Sequence, residues 1–220
     1  MDQRGHGFSG HTTGAYDRFD HARDIRFVME NVSKMPTVVW GHSMGGGNSV
    51  AMASDPPENL KALVLEDPAV FGKVRPARTD SSPTVNTFQI HLGLIEQGLS
   101  IEEMASHLQV ASPNQPEYFS TWKAECLLQM DADILRATVG GTSRGFDNPA
   151  QTLADIKVPV LLLQADPDVG GILPDDYIAG LIPDNETFTM KKIIGAGHNI
   201  NREFPELMLP VVLPWLAEHA

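Results

Sequence analysis

The sequence contains a single cysteine, Cys126, so an internal disulfide is excluded and nothing demands an oxidising compartment. Basic residues are also scarce, since 16 Lys and Arg stand against 28 Asp and Glu and give a formal net charge of −12. This charge disfavours nucleic acid or an anionic membrane as the main partner. No apolar run reaches transmembrane length, and the first residues do not have the pattern of a signal peptide. We therefore expect a soluble, cytoplasmic protein in which Cys126 is an inert residue of a helical core.

Several motifs of metal and nucleotide chemistry are missing as well. The chain has no His-Glu-x-x-His, no Cys-x-x-Cys pair and no Gly-x-x-x-x-Gly-Lys loop. We expect neither a metal nor a cofactor. The length of 220 residues, with 42% hydrophobic residues, suits one sizeable core or one core with an inserted subdomain.

Residues 37–50 have the pattern of a short apolar strand, a glycine-rich turn and a helix. Within them, Gly-His-Ser-Met-Gly at positions 41–45 has the G-x-S-x-G spacing of a nucleophile elbow, in which a serine lies at the tip of a sharp turn. Glycine at the flanking positions lets the strand and helix backbones approach closely. The pattern predicts Ser43 as a nucleophile and the Met44 amide, at the start of the helix, as an oxyanion donor.

Two segments together resemble the α/β-hydrolase fold family, specifically its small serine hydrolases with a helical cap. Residues 2–9, Asp-Gln-Arg-Gly-His-Gly-Phe-Ser, are similar to the D-x-R-G-x-G-x-S segment that follows the fourth strand in that family, and residues 41–46 are similar to its elbow. The resemblance implies an α/β fold with a mostly parallel sheet flanked by helices and an inserted helical cap. It also implies cleavage of a small-molecule carboxylic ester or related acyl substrate through an acyl-enzyme.

A serine nucleophile needs a base, and the base needs a carboxylate to hold its tautomer. His198, which follows Gly195-Ala196-Gly197 after a late strand, is the base that we predict among eight histidines. The family places its acid in a G-x-x-D pattern whose final position is Asp168, with Ala165 in place of the glycine. Asp67 is the alternative acid, because some members carry it after the preceding strand, and Asp166 is a third candidate.

The order of predicted elements supports this arrangement. Buried-strand patterns occur at 60–66, 156–163 and 187–194, and Ser43, Asp168 and His198 follow strands in the chain order Ser, Asp, His that this fold uses. Because ligands gather at the carboxyl ends of parallel strands, Glu66 and Asp67 are also expected near the site.

Strand patterns disappear between residues 69 and 151, where a capping box at Ser100–Glu103 predicts the start of one of several helices. We predict a hydrolase core at residues 1–68 and 152–220 and a helical cap at 69–151. Trp122 in the cap, with Met44 and His42 beside the nucleophile, is a candidate for oxyanion or substrate binding. His42 is expected to support the loop around the site rather than to act as the base.

No apolar strand precedes the first motif, so by the resemblance the first four strands and the loop with a second oxyanion amide have no counterpart here. We expect an N-terminally incomplete fold whose strand at 37–40 exposes an edge, through which the chain could form an oligomer. Three alternatives to an esterase stay open: an inactive fragment or binding module that keeps the triad residues, a carbon–carbon bond hydrolase, and a cofactor-free haloperoxidase.

Overall fold

The computed structural model describes residues 1–72, 83–111, 113, 116–140 and 145–220. Contacts divide the chain into two compact units. The helical unit comprises Met1–Asp20 and Arg75–Arg144, and the sheet unit comprises His21–Val74 and Gly145–Ala220.

The sheet unit is built on four parallel strands that lie side by side in chain order. Their bounds are β1 Thr37–His42, β2 Leu60–Glu66, β3 Val160–Ala165 and β4 Phe188–Ile193. The prediction of a parallel sheet flanked by helices is confirmed. Because all four strands run the same way, their carboxyl ends meet at one edge of the sheet.

Helices connect and cover these strands. The chain enters β1 through α1, Arg18–Val28, and one π-helical turn, Met29–Ser33, and α2, Met44–Ala53, follows β1 directly. The helical segment at the C-terminus is divided in two at Phe204, and Pro205 begins the second part. The sheet unit also contains α7 Pro149–Ala154, α8 Asp175–Ala179, α9 Ile200–Glu203 and α10 Pro205–His219.

The core of the sheet unit lies on both faces of the central strands. In β2, Ala62 and Val64 pack in a cluster with Met208 and Val212 of α10, and all four are buried. Leu63 and Leu65, which alternate with them and point to the other face, are fully buried as well. Burial on both faces explains the continuous apolar sequence of β2 and β3.

The helical unit contains α3 Pro83–Glu96, α4 Ile101–Ala111, α5 Glu117–Leu128 and α6 Ala132–Val139. The predicted capping box is confirmed, since Ser100 Oγ accepts the Glu103 N–H at 3.2 Å and a Glu103 carboxylate oxygen accepts the Ser100 N–H at 2.9 Å. Asp131 caps α6, because its side chain accepts the Asp133 N–H. Cys126 is exposed on α5, so the expectation that it lies in a core is wrong.

Residues 1–20 pack with these helices, through contacts such as the Asp131 N–H to the Gly5 carbonyl at 2.8 Å. The division into a hydrolase core and a cap at residues 68/69 and 151/152 stays a prediction. In the parts of the chain that the structure describes, none of the helices has both the length and the apolar character needed to cross a membrane.

The elbow glycine Gly41 generates a testable prediction. A Cβ on Gly41 would lie 2.5 Å from the Gly45 carbonyl oxygen and 2.7 Å from Gly46 Cα, which are backbone atoms that cannot rotate away. We expect Gly41→Ala to lower the free energy of unfolding by about 1–3 kcal/mol, measured by urea denaturation.

Gly93→Ala is the matched control, because Gly93 lies inside α3 and a Cβ there meets nothing within 4 Å. We expect this variant to gain about 0.5–1 kcal/mol, since alanine is the better helix former. Equal stability of Gly41→Ala and the unmodified chain would contradict the steric account of the elbow.

Candidate active site

Ser43 lies at the turn between β1 and α2 with an unusual backbone conformation. Its φ of 52° and ψ of −117° place a non-glycine residue at positive φ, where L residues are strained. Backbone hydrogen bonds to another segment hold the turn. The Ser43 N–H donates to the Glu66 carbonyl at 3.0 Å, and the Ser43 carbonyl accepts the Ala69 N–H at 2.8 Å. The serine is therefore fixed to the carboxyl end of β2.

A continuous chain of hydrogen bonds joins Ser43, His198 and Asp67. His198 Nε2 lies 2.9 Å from Ser43 Oγ, and His198 Nδ1 lies 2.7 Å from Asp67 Oδ2. The Asp67 side chain is completely buried, whereas about a quarter of the His198 side chain is accessible. Solvent therefore reaches the histidine in the middle of this chain but not the carboxylate at its end.

The acceptor in this chain determines which nitrogen carries the proton. An ionised carboxylate can only accept, so Nδ1–H of His198 donates to Asp67 and Nε2 presents its lone pair to the Ser43 hydroxyl. This is the tautomer in which an imidazole can take a proton from a serine. The arrangement is chemically competent for general-base activation of a hydroxyl nucleophile.

Asp67 is held by more than the histidine. Its Oδ2 also accepts the Ile172 N–H at 2.9 Å, its Oδ1 lies 3.4 Å from the Ala165 nitrogen, and its own N–H donates to the Leu163 carbonyl at 2.7 Å. Its φ of 37° is a second positive value at this edge of the sheet. These contacts fix the carboxylate in position, and they give its buried oxygens the hydrogen bonds that water would otherwise provide.

The structure does not bring Asp168, the preferred candidate for the acid, to His198. Asp168 lies in a single 3₁₀ turn, Pro167–Val169, where it is exposed, and its N–H donates to Asp166 Oδ1 at 3.2 Å. The carboxylate at His198 Nδ1 belongs to Asp67, the alternative. The reason is local, because the 3₁₀ turn after β3 directs the Asp168 side chain to solvent while Asp67 follows its strand without an intervening turn.

Asp166, the third candidate acid, has a different position. Its Oδ2 accepts the Gly195 N–H at 2.9 Å, and its own N–H donates to the Ala196 carbonyl at 2.8 Å. The Gly195 N–H, together with the Asp168 N–H, holds the pKa of the Asp166 carboxyl below its usual value. Asp166 thus stabilises, through these two hydrogen bonds, the loop that leads from β4 to His198.

The three candidates for oxyanion or substrate binding lie in different places. Met44 is the first residue of α2, so its N–H is one of the amides that have no acceptor within the helix. His42 ends β1, and its Nε2–H donates to the His198 carbonyl at 2.8 Å. Trp122 lies on α5 of the helical unit, where its ring packs against Phe119 with centroids 5.4 Å apart, and its part in substrate binding stays a prediction.

Burial is the main cause of the shifted pKa values of two groups, His42 and Glu66, beside the hydrogen-bond chain of Ser43, His198 and Asp67. Burial, with a smaller contribution from the His198 imidazole, lowers the pKa of His42 from 6.5 to about 4, so His42 is neutral near pH 7. Burial raises the pKa of the Glu66 carboxyl above its usual value, against the opposing effect of the N–H groups of Asn201 and Trp40. The sequence placed Glu66 near the site only by topology, and no pattern in it pointed to the Asn201 contact.

Among the residues that the structure describes, there is no group of three or more His, Cys, Asp or Glu side chains placed to hold a metal ion.

Comparison with known proteins assigns the chain to a family. The family model for the α/β hydrolase fold matches residues 1–203. A monoacylglycerol lipase of Mycolicibacterium smegmatis is 28% identical over 239 residues, which cover 100% of this chain and 77% of the lipase. A 2-(acetamidomethylene)succinate hydrolase of Mesorhizobium japonicum is 24% identical over 220 residues, which cover 96% of this chain and 75% of that enzyme.

A solved structure agrees with this assignment. The N-formylmaleamic acid deformylase of Pseudomonas putida superposes with a TM-score of 0.76 and 23% identity, over 96% of this chain and 79% of the deformylase. At this identity, the likeness shows a shared fold.

The depressed pKa of His42 predicts a pH dependence of stability. Between pH 6.5 and about 4, the unfolded chain binds a proton at this position and the folded chain does not, so the stability that neutral His42 contributes is lost as the pH falls. We expect the titration of His42 to lower the free energy of unfolding by about 2 kcal/mol between pH 7 and pH 5.

The measurement is urea denaturation of the unmodified chain and of His42→Gln at both pH values. Glutamine does not titrate, so the variant should lose about 2 kcal/mol less than the unmodified chain on acidification. The same loss in both proteins would show that His42 is protonated in the folded state at pH 5.

Proposed function

Because the chain belongs to the α/β-hydrolase fold family, we propose that it is a serine hydrolase that cleaves a carboxylic ester or related acyl bond through a Ser43–His198–Asp67 triad. The observation that supports this most directly is the hydrogen-bond chain from Ser43 Oγ through both nitrogens of His198 to the buried carboxylate of Asp67. In this proposal Asp67, rather than Asp168, is the acid that holds the tautomer of His198.

The proposed reaction has two halves. Ser43 Oγ attacks the acyl carbon while His198 Nε2 takes the hydroxyl proton, and the tetrahedral intermediate then collapses as His198 gives that proton to the departing alcohol. Water attacks the resulting acyl-enzyme ester, with His198 again accepting a proton. The second intermediate collapses to release the carboxylic acid and return the proton to Ser43.

The carboxylate of Asp67 stabilises the imidazolium that forms in each half of the reaction. Asp67 is fully buried and held by backbone N–H groups, so it opposes the positive charge of His198 at a fixed distance without rearranging. The exposed carboxylate of Asp168 would act through solvent and could not hold the tautomer. This difference in burial supports Asp67 as the acid.

We propose the Met44 N–H as an oxyanion donor. It follows the nucleophile directly and lies at the N-terminus of α2, a ten-residue helix whose dipole favours negative charge there. Removal of one such donor typically costs about 10²–10³ in kcat, so this amide is a substantial part of the expected rate enhancement.

The names of the relatives support an acyl substrate. One is named as a monoacylglycerol lipase, and monoacylglycerols are esters. Another is named as a 2-(acetamidomethylene)succinate hydrolase, and its substrate carries an acetamido group. What we carry over to this chain is the shared chemistry, which is hydrolysis at an acyl carbon. A small-molecule ester is therefore the first substrate class to screen.

The matched pair Asp67→Asn and Asp168→Asn tests the assignment of the acid. Asparagine at position 67 removes the charge that stabilises the imidazolium and can favour the wrong tautomer, so we expect kcat for a p-nitrophenyl ester to fall by about 10⁴. The same substitution at the exposed position 168 should leave kcat within about twofold. Loss of activity in Asp168→Asn but not in Asp67→Asn would overturn the assignment.

The nucleophile and base are tested with an alkyl fluorophosphonate and intact-mass measurement. We expect one adduct on the unmodified chain and none on Ser43→Ala or His198→Ala, because the first lacks the attacking oxygen and the second lacks its base. Thermal unfolding of each variant controls for folding. An adduct that persists in folded Ser43→Ala would contradict the proposal, and a folded unmodified chain without an adduct would favour a binding module.

A further inference from the structure

The segment that carries His198 is short and is held by side chains from two strands. We call residues 195–201 the histidine loop, which runs from the end of β4 into the first turn of α9. His198 provides both triad hydrogen bonds from this loop, so the position of its backbone determines whether the imidazole can reach Ser43 and Asp67 together.

His42 holds the loop at the residue that carries the imidazole. Its Nε2–H donates to the His198 carbonyl at 2.8 Å, and the two imidazole rings lie 4.5 Å apart, inclined at 42°. A carbonyl only accepts, so the contact requires a hydrogen on Nε2. The contact is made to the backbone of His198 and leaves both of its ring nitrogens to the triad.

Glu66 holds the loop three residues further on. Its side chain is completely buried, with Oε1 accepting the Asn201 N–H at 2.8 Å and Oε2 accepting the Trp40 Nε1–H at 3.1 Å. Its backbone carbonyl accepts the N–H of Ser43. Glu66 therefore contacts the nucleophile turn and the histidine loop, and it directly precedes Asp67 in the chain.

The two residues act from neighbouring positions of the sheet. His42 and Glu66 are register partners in the parallel pair of β1 and β2. Paired residues of adjacent strands point to the same face, so the two side chains approach the loop together from one surface. The strands that present Ser43 and Asp67 thus also supply the two contacts that hold His198.

We propose that His42 and Glu66 are positioning residues that form a two-point clamp on the histidine loop and fix His198 against Ser43 and Asp67. The inference rests on the proposed function, because it concerns the orientation of the proposed base. A displacement of about 1 Å in a reacting group can cost about 10²-fold in rate, and the clamp resists such a displacement at two points of the loop, the His198 carbonyl and the Asn201 N–H.

The first test compares His42→Gln with His42→Asn, two amides of equal polarity that differ in reach. The Gln side chain can place an N–H where Nε2 lies and restore the donor, whereas the Asn side chain is one methylene shorter and cannot reach the His198 carbonyl. We expect kcat to fall about 10–100-fold in His42→Asn with KM within about twofold, and to recover to at least about one third of its full value in His42→Gln.

Glu66→Gln is the second, independent variant. Asn201 and Trp40 donate to separate oxygens of Glu66, and in glutamine one of those oxygens becomes an NH2 group that cannot accept, so one of the two N–H groups loses its partner. We expect a fall of about tenfold or more in kcat, again with little change in KM. Adding Trp40→Phe removes the competing donor, lets the amide oxygen turn to Asn201, and should recover part of the lost kcat.

A proton NMR signal gives a readout that does not depend on turnover. The His198 Nδ1–H in its short hydrogen bond to Asp67 should give a strongly downfield resonance, assigned by its absence in His198→Ala. We expect this resonance in the unmodified chain and in His42→Gln, and its loss or broadening in His42→Asn and Glu66→Gln while thermal unfolding stays cooperative.

The outcomes separate this inference from the proposed function. A folded chain with no Ser43-dependent fluorophosphonate adduct would contradict the proposed function itself. If the adduct forms but His42→Asn and Glu66→Gln retain full kcat and the downfield resonance, the clamp is wrong. Equal losses in His42→Gln and His42→Asn would also overturn it, because the restored donor would then have no effect.

Discussion

The parallel pairing of β1 with β2 is the interaction on which the candidate site depends. Its register sets His42 opposite Glu66, so the residues that follow each strand, Ser43 and Asp67, leave the sheet side by side. The Ser43 N–H to Glu66 carbonyl bond continues this pairing one step beyond β1. A shift of one residue would turn every side chain of β2 to the other face and separate Ser43 from Asp67.

The same edge of the sheet tolerates two adjacent buried carboxyl groups, at Glu66 and Asp67. Burial of a charge is costly unless hydrogen bonds replace the lost water. Here each carboxyl accepts N–H groups from other segments, Asp67 from Ile172 and His198, and Glu66 from Asn201 and Trp40. The cost of burial is thus offset by contacts that also join β1, β2 and the histidine loop into one assembly.

Much of the fold could be predicted because local patterns and burial agree. The strand at 60–66 has the bounds predicted for it, since a parallel strand buried on both faces must be apolar throughout. The capping box at Ser100 and Glu103 formed because its two hydrogen bonds are local. Ser43 and His198 could be proposed from the turns that follow their strands, and the structure brings them to 2.9 Å.

The choice between Asp67 and Asp168 as the partner of His198 could not be made in the same way. Asp67 and Asp168 both follow buried strands, and the sequence does not show which carboxylate reaches His198 Nδ1. The difference arises from backbone geometry, namely a positive φ at Asp67 and a 3₁₀ turn at Asp168. The contact between Glu66 and Asn201 was equally hidden, because it joins residues 135 positions apart in the chain.

The central claim is that Ser43 carries the acyl group during hydrolysis. The most direct test is to mix the chain with p-nitrophenyl butyrate, quench in acid during the first turnover, and map the acylated peptide by mass spectrometry. The account predicts a butyryl group on Ser43. Turnover with the butyryl group on another residue would contradict it.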